Sequence, residues 1–149
     1  MPSVATWLRP AVFGAADGLT CALGAILSLA GHPELVVRTA VALAAAECVG
    51  MAAGEWLSES ATGFQASAVI GLATGGGGVL PALPYAWLSG AAAVWASVAV
   101  FVVCAGLITW ARAGRRGWKR AAAETYGVLA VVTLAVVLSQ VLMPSGGGP

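Results

Sequence analysis

The sequence predicts an all-α membrane protein with five transmembrane helices. Hydrophobic residues make up 60% of its 149 residues and charged residues only 9%, whereas soluble domains carry roughly 25% charge. Five apolar runs each reach about 20 residues, which is the length of a helix that crosses the hydrocarbon layer. A soluble domain and a disordered chain are both excluded, since each needs far more charge. The net charge of +1 offers no basic surface for nucleic acid.

The five spans are expected in one membrane domain, residues 1–143, followed by a glycine-rich tail, residues 144–149, that we expect to be disordered. Their approximate bounds are 11–30, 35–57, 64–87, 91–111 and 125–143. The first run contains Asp17 and lacks a cleavage motif, so it is a retained helix rather than a signal peptide. The third run contains four glycines at 75–78 followed by Pro81 and Pro84, which predicts a discontinuous helix. Such helices usually line cavities, although a kinked packing helix has the same sequence pattern.

The basic residues predict the orientation of the chain in the membrane. Five of the seven lie between the fourth and fifth spans: Arg112, Arg115, Arg116, Lys119 and Arg120. Loops rich in lysine and arginine stay on the cytoplasmic side. With five spans, this places the N-terminus in the cytoplasm and the C-terminus outside. We interpret the basic loop as a topology determinant rather than a ligand site.

Acidic residues occur where a membrane helix rarely carries them. Asp17 and Glu47 lie in the middle of the first two spans, Glu55 lies near the end of the second, and Glu59 lies just beyond it. An ionised carboxylate at mid-membrane costs about 2.5–3.5 kcal/mol, so it usually faces a protein interior, a cation or a water path. The alternative for each residue alone is a protonated carboxyl group that is hydrogen-bonded between helices.

The spacing of the acids favours the cation. Glu47, Met51, Glu55 and Glu59 recur every four residues and share one helix face. Carboxylates suit hard or borderline divalent ions, and a thioether adds preference for softer ones. Fe²⁺, Mn²⁺ and Co²⁺ fall in that overlap. Met51 by itself would be a packing residue, but its place between two acids makes it a candidate ligand.

Two pairs of glycines predict close helix packing beside these acids. One pair brackets Asp17 and the other brackets Met51, each with the GxxxG spacing that lets helix backbones approach closely in lipid. The pairs are Gly14 with Gly18 and Gly50 with Gly54. Close packing of the first two spans, or of two copies of them, would bring Asp17 near the acidic face of the second. Cys21, Cys48 and Cys104 lack paired spacing, and we interpret them as small packing residues.

Four segments of the chain resemble signatures of the vacuolar iron transporter family. Phe-Gly-Ala-Ala-Asp-Gly-Leu at 13–19 resembles the first-helix signature, and Gly-Met-Ala-Ala-Gly-Glu-Trp-Leu-Ser at 50–58 resembles the specific second-helix signature. Leu-Pro-Ala-Leu-Pro-Tyr at 80–85 and Thr-Tyr-Gly at 125–127 resemble the third and last helices. The resemblance covers nearly the whole chain, and five spans with the N-terminus inside are also the topology of the family.

The resemblance implies export of Fe²⁺, and often of Mn²⁺, from the cytosol by proton antiport, in a homodimer with the ion path between protomers. It implies that Asp17 and Met51 form the membrane metal site and that Glu55 is the acid of the Gly-Glu-aromatic segment. Glu47 lies outside the motif, so its assignment depends on spacing alone. The chain also lacks the glutamate-rich cytosolic domain that many members carry between the second and third spans. Glu59 is the only acid in that short connection.

The main hypothesis is a proton-coupled exporter of Fe²⁺ or Mn²⁺ without a tightly bound cofactor. Metal would enter past Glu59 and Glu55 and bind near Met51, Asp17 and Glu47. The expected partners are the metal ion, protons, membrane lipid and a second copy, and the expected location is a bacterial plasma membrane. Two alternatives remain, a small exporter of organic cations and an assembly subunit without transport. No motif suggests an enzyme.

Overall fold

The computed structural model describes residues 4–29, 31–58 and 63–142, and nearly all of them are helical. The helices in chain order are α1 (Val4–Ser28), α2 (Pro33–Leu57), α3 (Gly63–Val79), a 3-10 helix (Leu80–Ala86), α4 (Gly90–Arg116) and α5 (Trp118–Leu142). Five helical segments are long and apolar enough to cross a membrane, and the described residues contain no strand. The predicted fold class is therefore confirmed. Glu59 and the tail at 144–149 lie outside the described residues.

The third span changes its helix type at the prolines and not at the glycines. α3 remains α-helical through residues 75–78, and the 3-10 helix begins at Leu80 with Pro81 in its first turn. Proline fits the first turn of a helix because it lacks only a donor that has no partner there. The discontinuity that the sequence predicts is therefore present, but it lies beyond the glycine run.

The glycines of α3 allow close packing with helices on two sides. A Cβ atom added to Gly77 would lie 2.5 Å from the carbonyl oxygen of Ala15 in α1. One added to Gly71 would lie 2.5 Å from the carbonyl oxygen of Cys48 in α2. α3 accordingly packs far more extensively against α1 and α2 than these two pack against each other. Packing at backbone distance outweighs the poor helix propensity of glycine.

α4 and α5 form a hairpin with one residue between them. Gly117 has a φ of 77°, and its N–H donates to the carbonyl oxygen of Ala113 at 2.9 Å. This left-handed conformation ends α4, and glycine adopts it without steric cost. Residues 112–124, which the sequence places in a loop, therefore belong almost entirely to the two helices.

Ionic contacts join the two helices of the hairpin near this turn. The Arg112 guanidinium donates to the Glu124 carboxylate and, at 3.1 Å, to the Thr125 hydroxyl. Arg120 donates to the same carboxylate at 2.9 Å from one turn away on α5. The hairpin also contacts α1, because buried Leu19 packs in one apolar cluster with Ile108 and Leu129. The acids of α1 and α2 are thus held in a separate part of the fold from Glu124.

Candidate functional site

Polar side chains of α1 and α2 meet inside the membrane-spanning part of the fold. Asp17 and Cys21 are one turn apart on α1, and Glu47 and Met51 are one turn apart on α2. All four are half-buried. A helix rises about 6 Å over four residues, so each pair extends along its helix as two successive levels.

Where α1 and α2 face each other, a thiol of α1 lies near a carboxylate of α2. The Glu47 carboxylate lies close enough to Cys21 for its charge to act on the thiol. Asp17 lies close enough for its charge to act on the same thiol. The structure therefore brings Asp17 and Glu47 together around Cys21. The spacing of the sequence does not show this proximity, which depends on how α1 is rotated relative to α2.

One oxygen of the Glu47 carboxylate has an unusual environment. Glu47 Oε2 is shielded from solvent and has no hydrogen-bond partner among the described residues. Buried polar atoms in proteins nearly always have a partner, and leaving one without a partner costs about 1–3 kcal/mol. A proton on the carboxyl group or a bound cation would satisfy this oxygen. The observation strengthens the case for Glu47, which the sequence motif does not include.

The surroundings of Asp17 on α1 include a local hydrogen bond and two glycines. The Thr20 hydroxyl donates to the main-chain carbonyl of Asp17 at 2.7 Å, so this bond leaves the carboxylate uninvolved. Gly14 and Gly18, which bracket Asp17, face α3 and not α2. A Cβ atom on either would collide with the carbonyl oxygens of Ile70 or Thr74. The predicted use of this pair against the second span is therefore replaced by packing on the third.

The remaining predicted residues extend along α2 toward its C-terminal end. Met51 is half-buried one turn beyond Glu47, and Glu55 is half-buried one turn further. The Ser58 hydroxyl donates to the carbonyl oxygen of Glu55 at 2.9 Å, and Glu55 has further contacts within the protein. Eight residues of helix rise about 12 Å, so Glu47 and Glu55 are too far apart to hold one ion. The acidic face of α2 is therefore a row of separate potential ligands along the helix and not a single site.

The described residues contain no preformed group of three or more histidine, cysteine, aspartate or glutamate side chains suited to a metal ion. The thiol and carboxylate of Cys21 and Glu47 are together, with Asp17 and Met51 one turn away along their respective helices. These residues could hold a cation only with a further ligand from a side-chain rotation, from water or from a second copy. The chemistry of the donors, oxygen with sulphur, fits a borderline divalent metal.

The second glycine pair lies on a free surface of the described chain. A Cβ atom added to Gly50 or Gly54 would have no atom within 4 Å. Leu43 and Leu57, each two turns from Gly50 on the same face of α2, are also exposed. This face of α2 contacts neither α1 nor α3 at the glycines.

Comparison with known proteins finds a family similarity in the first half of the chain. The model of the VIT family matches residues 8–63, which include most of α1 and all of α2. No curated protein and no solved structure matches the chain. The family match and the five apolar helices support an integral membrane protein of a metal-ion transporter family. The matched segment thus supports the membership of this chain in the vacuolar iron transporter family.

Proposed function

We propose that the protein exports a divalent transition metal, Fe²⁺ or Mn²⁺, from the cytosol in exchange for protons. The observation that carries the proposal is the oxygen Glu47 Oε2, which is shielded from solvent and has no hydrogen-bond partner among the described residues. Glu47 and Asp17 lie in two helices that each could cross the membrane. These acids lie within the segment that matches the family. A soluble-protein explanation for such acids does not apply here, because both helices are apolar along most of their length.

The row of donors on α2 suggests the route of the ion. Metal would approach from the cytosolic side past Glu59 and Glu55, then reach Met51 and the level of Asp17 and Glu47. The levels are about 6 Å apart along the helix, so an ion can pass from one to the next without losing every ligand at once. Each carboxylate can hold either a proton or part of the charge of the metal, and this competition is the basis of the proposed coupling.

The proposal includes a homodimer in a bacterial plasma membrane, with the N-terminus in the cytoplasm. Gly50 and Gly54 support the dimer because their face of α2 is free of contacts and has the spacing of close helix pairs. Gly54→Leu should then convert dimers into monomers in mild detergent, as measured by light scattering. Gly127→Leu on α5, where an added Cβ atom also meets nothing, is the matched control. Unchanged dimers in the Gly54 variant would contradict this interface.

Transport by the purified chain in lipid vesicles tests the proposed activity. Metal uptake is measured with the vesicle interior acidic, so that protons leave as metal enters. Asp17→Asn removes a negative ligand at nearly constant volume and should lower Fe²⁺ and Mn²⁺ uptake by roughly tenfold or more, equivalent to about 1.4 kcal/mol of binding. Met51→Leu should lower it less, because a thioether is a neutral ligand.

The same vesicle experiment includes a control variant and distinguishes the alternative functions. Glu34→Gln changes an acid that is exposed beside His32 and should transport like the unmodified protein. Undiminished uptake in both the Asp17 and Met51 variants would overturn the site. Proton-driven uptake of organic cations with no metal uptake would favour the first alternative, and absence of any uptake would favour an assembly subunit. Against the organic cation, Trp87 and Trp118 lie at helix ends and are exposed.

A further inference from the structure

The turn between α4 and α5 carries more positive charge than its acid can neutralise. Residues 110–124 contain five basic residues and one acid, Glu124. Glu124 accepts hydrogen bonds from both Arg112 and Arg120, and a single carboxylate offsets the charge of only one of them. Lys119, next to Arg120, is exposed. The turn is therefore left with a surplus of positive charge.

The helix dipoles treat the basic residues on the two sides of the turn differently. Arg112 lies near the C-terminal end of α4, where the dipole is negative and stabilises a basic side chain. Lys119 and Arg120 lie in the first turn of α5, which holds no acidic residue and where the dipole is positive. The end of their own helix thus adds to their charge. An anion from outside the chain would compensate it.

The same turn lies where the chain leaves the apolar part of the membrane. It joins two segments that are each long and apolar enough to span the bilayer, Gly90–Gly114 and Trp118–Leu142. Trp118 begins the second segment, Trp110 lies one turn before the end of the first, and both are exposed. Tryptophan is enriched at the level of the lipid headgroups, because its ring is amphipathic. The anions at that level are the phosphates of phospholipids.

We propose that Lys119 and Arg120, with Trp118 beside them, bind the headgroup of an anionic phospholipid. The two cations would contact the phosphate, and the ring would pack against the glycerol and the upper acyl chain. A choline headgroup has the same phosphate, but its ammonium group would be repelled by the two cations. This inference goes beyond the proposed function and does not depend on it. It also adds to the predicted topology role, which requires only the number of basic residues on one side.

Binding of lipid to the purified full-length protein in detergent tests the proposal. Native mass spectrometry measures how much phosphatidylglycerol or phosphatidylcholine remains bound at each lipid concentration. Phosphatidylglycerol should bind more tightly, and the double variant Lys119→Gln with Arg120→Gln should lower its affinity by roughly tenfold or more, since each cation near the membrane surface attracts anionic lipid. Equal affinity for the two lipids, or unchanged affinity in the double variant, would overturn the site.

Arg9→Gln with Arg38→Gln is the matched control for this double variant. It lowers the net charge by the same amount at two exposed positions on α1 and α2, and phosphatidylglycerol affinity should stay nearly unchanged. An equal loss in the control would show that binding follows the net charge of the molecule and would contradict a site at the turn.

A charge-conserving variant separates recognition from folding. Lys119→Arg with Arg120→Lys keeps both cations and should retain the preference for phosphatidylglycerol. Loss of that preference in folded protein, as judged by thermal unfolding, would contradict recognition by charge.

Soluble glycerol phosphate distinguishes a lipid site from a site for free phosphate. It lacks the acyl chains that would pack beside Trp118, so a millimolar concentration should not displace phosphatidylglycerol. Trp118→Ala should weaken phosphatidylglycerol binding but keep the preference over phosphatidylcholine, because the ring contributes packing and not charge. Displacement by glycerol phosphate would contradict the lipid as the ligand, and unchanged binding in Trp118→Ala would contradict the proposed part of the ring.

Discussion

The group formed by α1, α2 and α3 differs from the α4–α5 hairpin in how each places its charged residues. In the three-helix group, Asp17 and Glu47 lie inside membrane-spanning helices that pack through glycines. In the hairpin, Arg112 and Glu124 lie near the ends of the helices and neutralise each other. The difference indicates that the hairpin uses this charge pair for structure. No basic partner of this kind is found for Asp17 or Glu47 among the described residues, which is why the chemistry of these two acids points to a ligand.

The largest expected loss of stability comes from a substitution at the close contact between α1 and α3. Gly18→Ala would place a Cβ atom against the carbonyl oxygen of Thr74, and this backbone atom cannot move away without shifting α3. We expect a loss of about 3 kcal/mol or more in the free energy of unfolding, at the upper end of the range for overpacked cores. Thermal unfolding in detergent measures this loss.

Gly127 in the hairpin is the control for this substitution. An added Cβ atom there meets nothing within 4 Å. Gly127→Ala should leave stability unchanged or raise it by up to about 1 kcal/mol, because alanine is the better helix former. Equal stability of the Gly18 and Gly127 variants would contradict the close contact between α1 and α3.

An intermediate effect is expected from the ion pair of the hairpin. Arg112→Met removes the partner of Glu124 on α4 and the bond to Thr125. The pair is about a quarter exposed, so we expect a loss of about 1–2 kcal/mol, less than for a fully buried pair. Arg120→Met should cost less than about 0.5 kcal/mol, since the Arg120 side chain is 74% exposed.

Metal uptake by these two variants completes the test of the hairpin. Each should transport metal at the normal rate per folded molecule, because neither residue contacts the acids of α1 and α2. Thermal unfolding gives the stability difference, and vesicle uptake gives the rate. A large loss of uptake in stable Arg112→Met protein would show that the hairpin takes part in transport, and the contrast between the regions would then fail.

A small effect on stability is expected at Glu47, where function and stability should separate. Glu47→Gln removes the possibility of burying a charge on an oxygen that has no partner among the described residues. We expect the free energy of unfolding to rise by up to about 1 kcal/mol, while Co²⁺ affinity falls by at least tenfold. Calorimetry measures both quantities.

Glu34→Gln is the control for Glu47, because Glu34 is exposed and pairs with exposed His32 at 3.5 Å. Such surface pairs contribute less than about 1 kcal/mol, so neither stability nor Co²⁺ affinity should change measurably. A strong loss of stability in Glu47→Gln, with unchanged cobalt affinity, would identify Glu47 as a structural residue.

The sequence was sufficient for the number of spans, because apolar runs of membrane length are long signals. It was less informative at the hairpin, because basic residues interrupt the apolar run while α4 and α5 continue through them to Gly117. The glycines at 75–78 have low helix propensity, and only the neighbouring helices explain why they remain helical. The proximity of Cys21 to Glu47 could not be found from spacing, since it depends on the rotation of one helix against another.

The shielded oxygen of Glu47 has a consequence for the thermodynamics of ion capture. A carboxylate in water must release part of its hydration shell before it can coordinate a cation. Glu47 Oε2 is already shielded from solvent in the folded chain, so folding has carried out that dehydration beforehand. A cation that binds there has no water to displace from this oxygen. The site is in this respect preorganised for its ion, as charge-stabilising groups in enzymes are preorganised for a transition state.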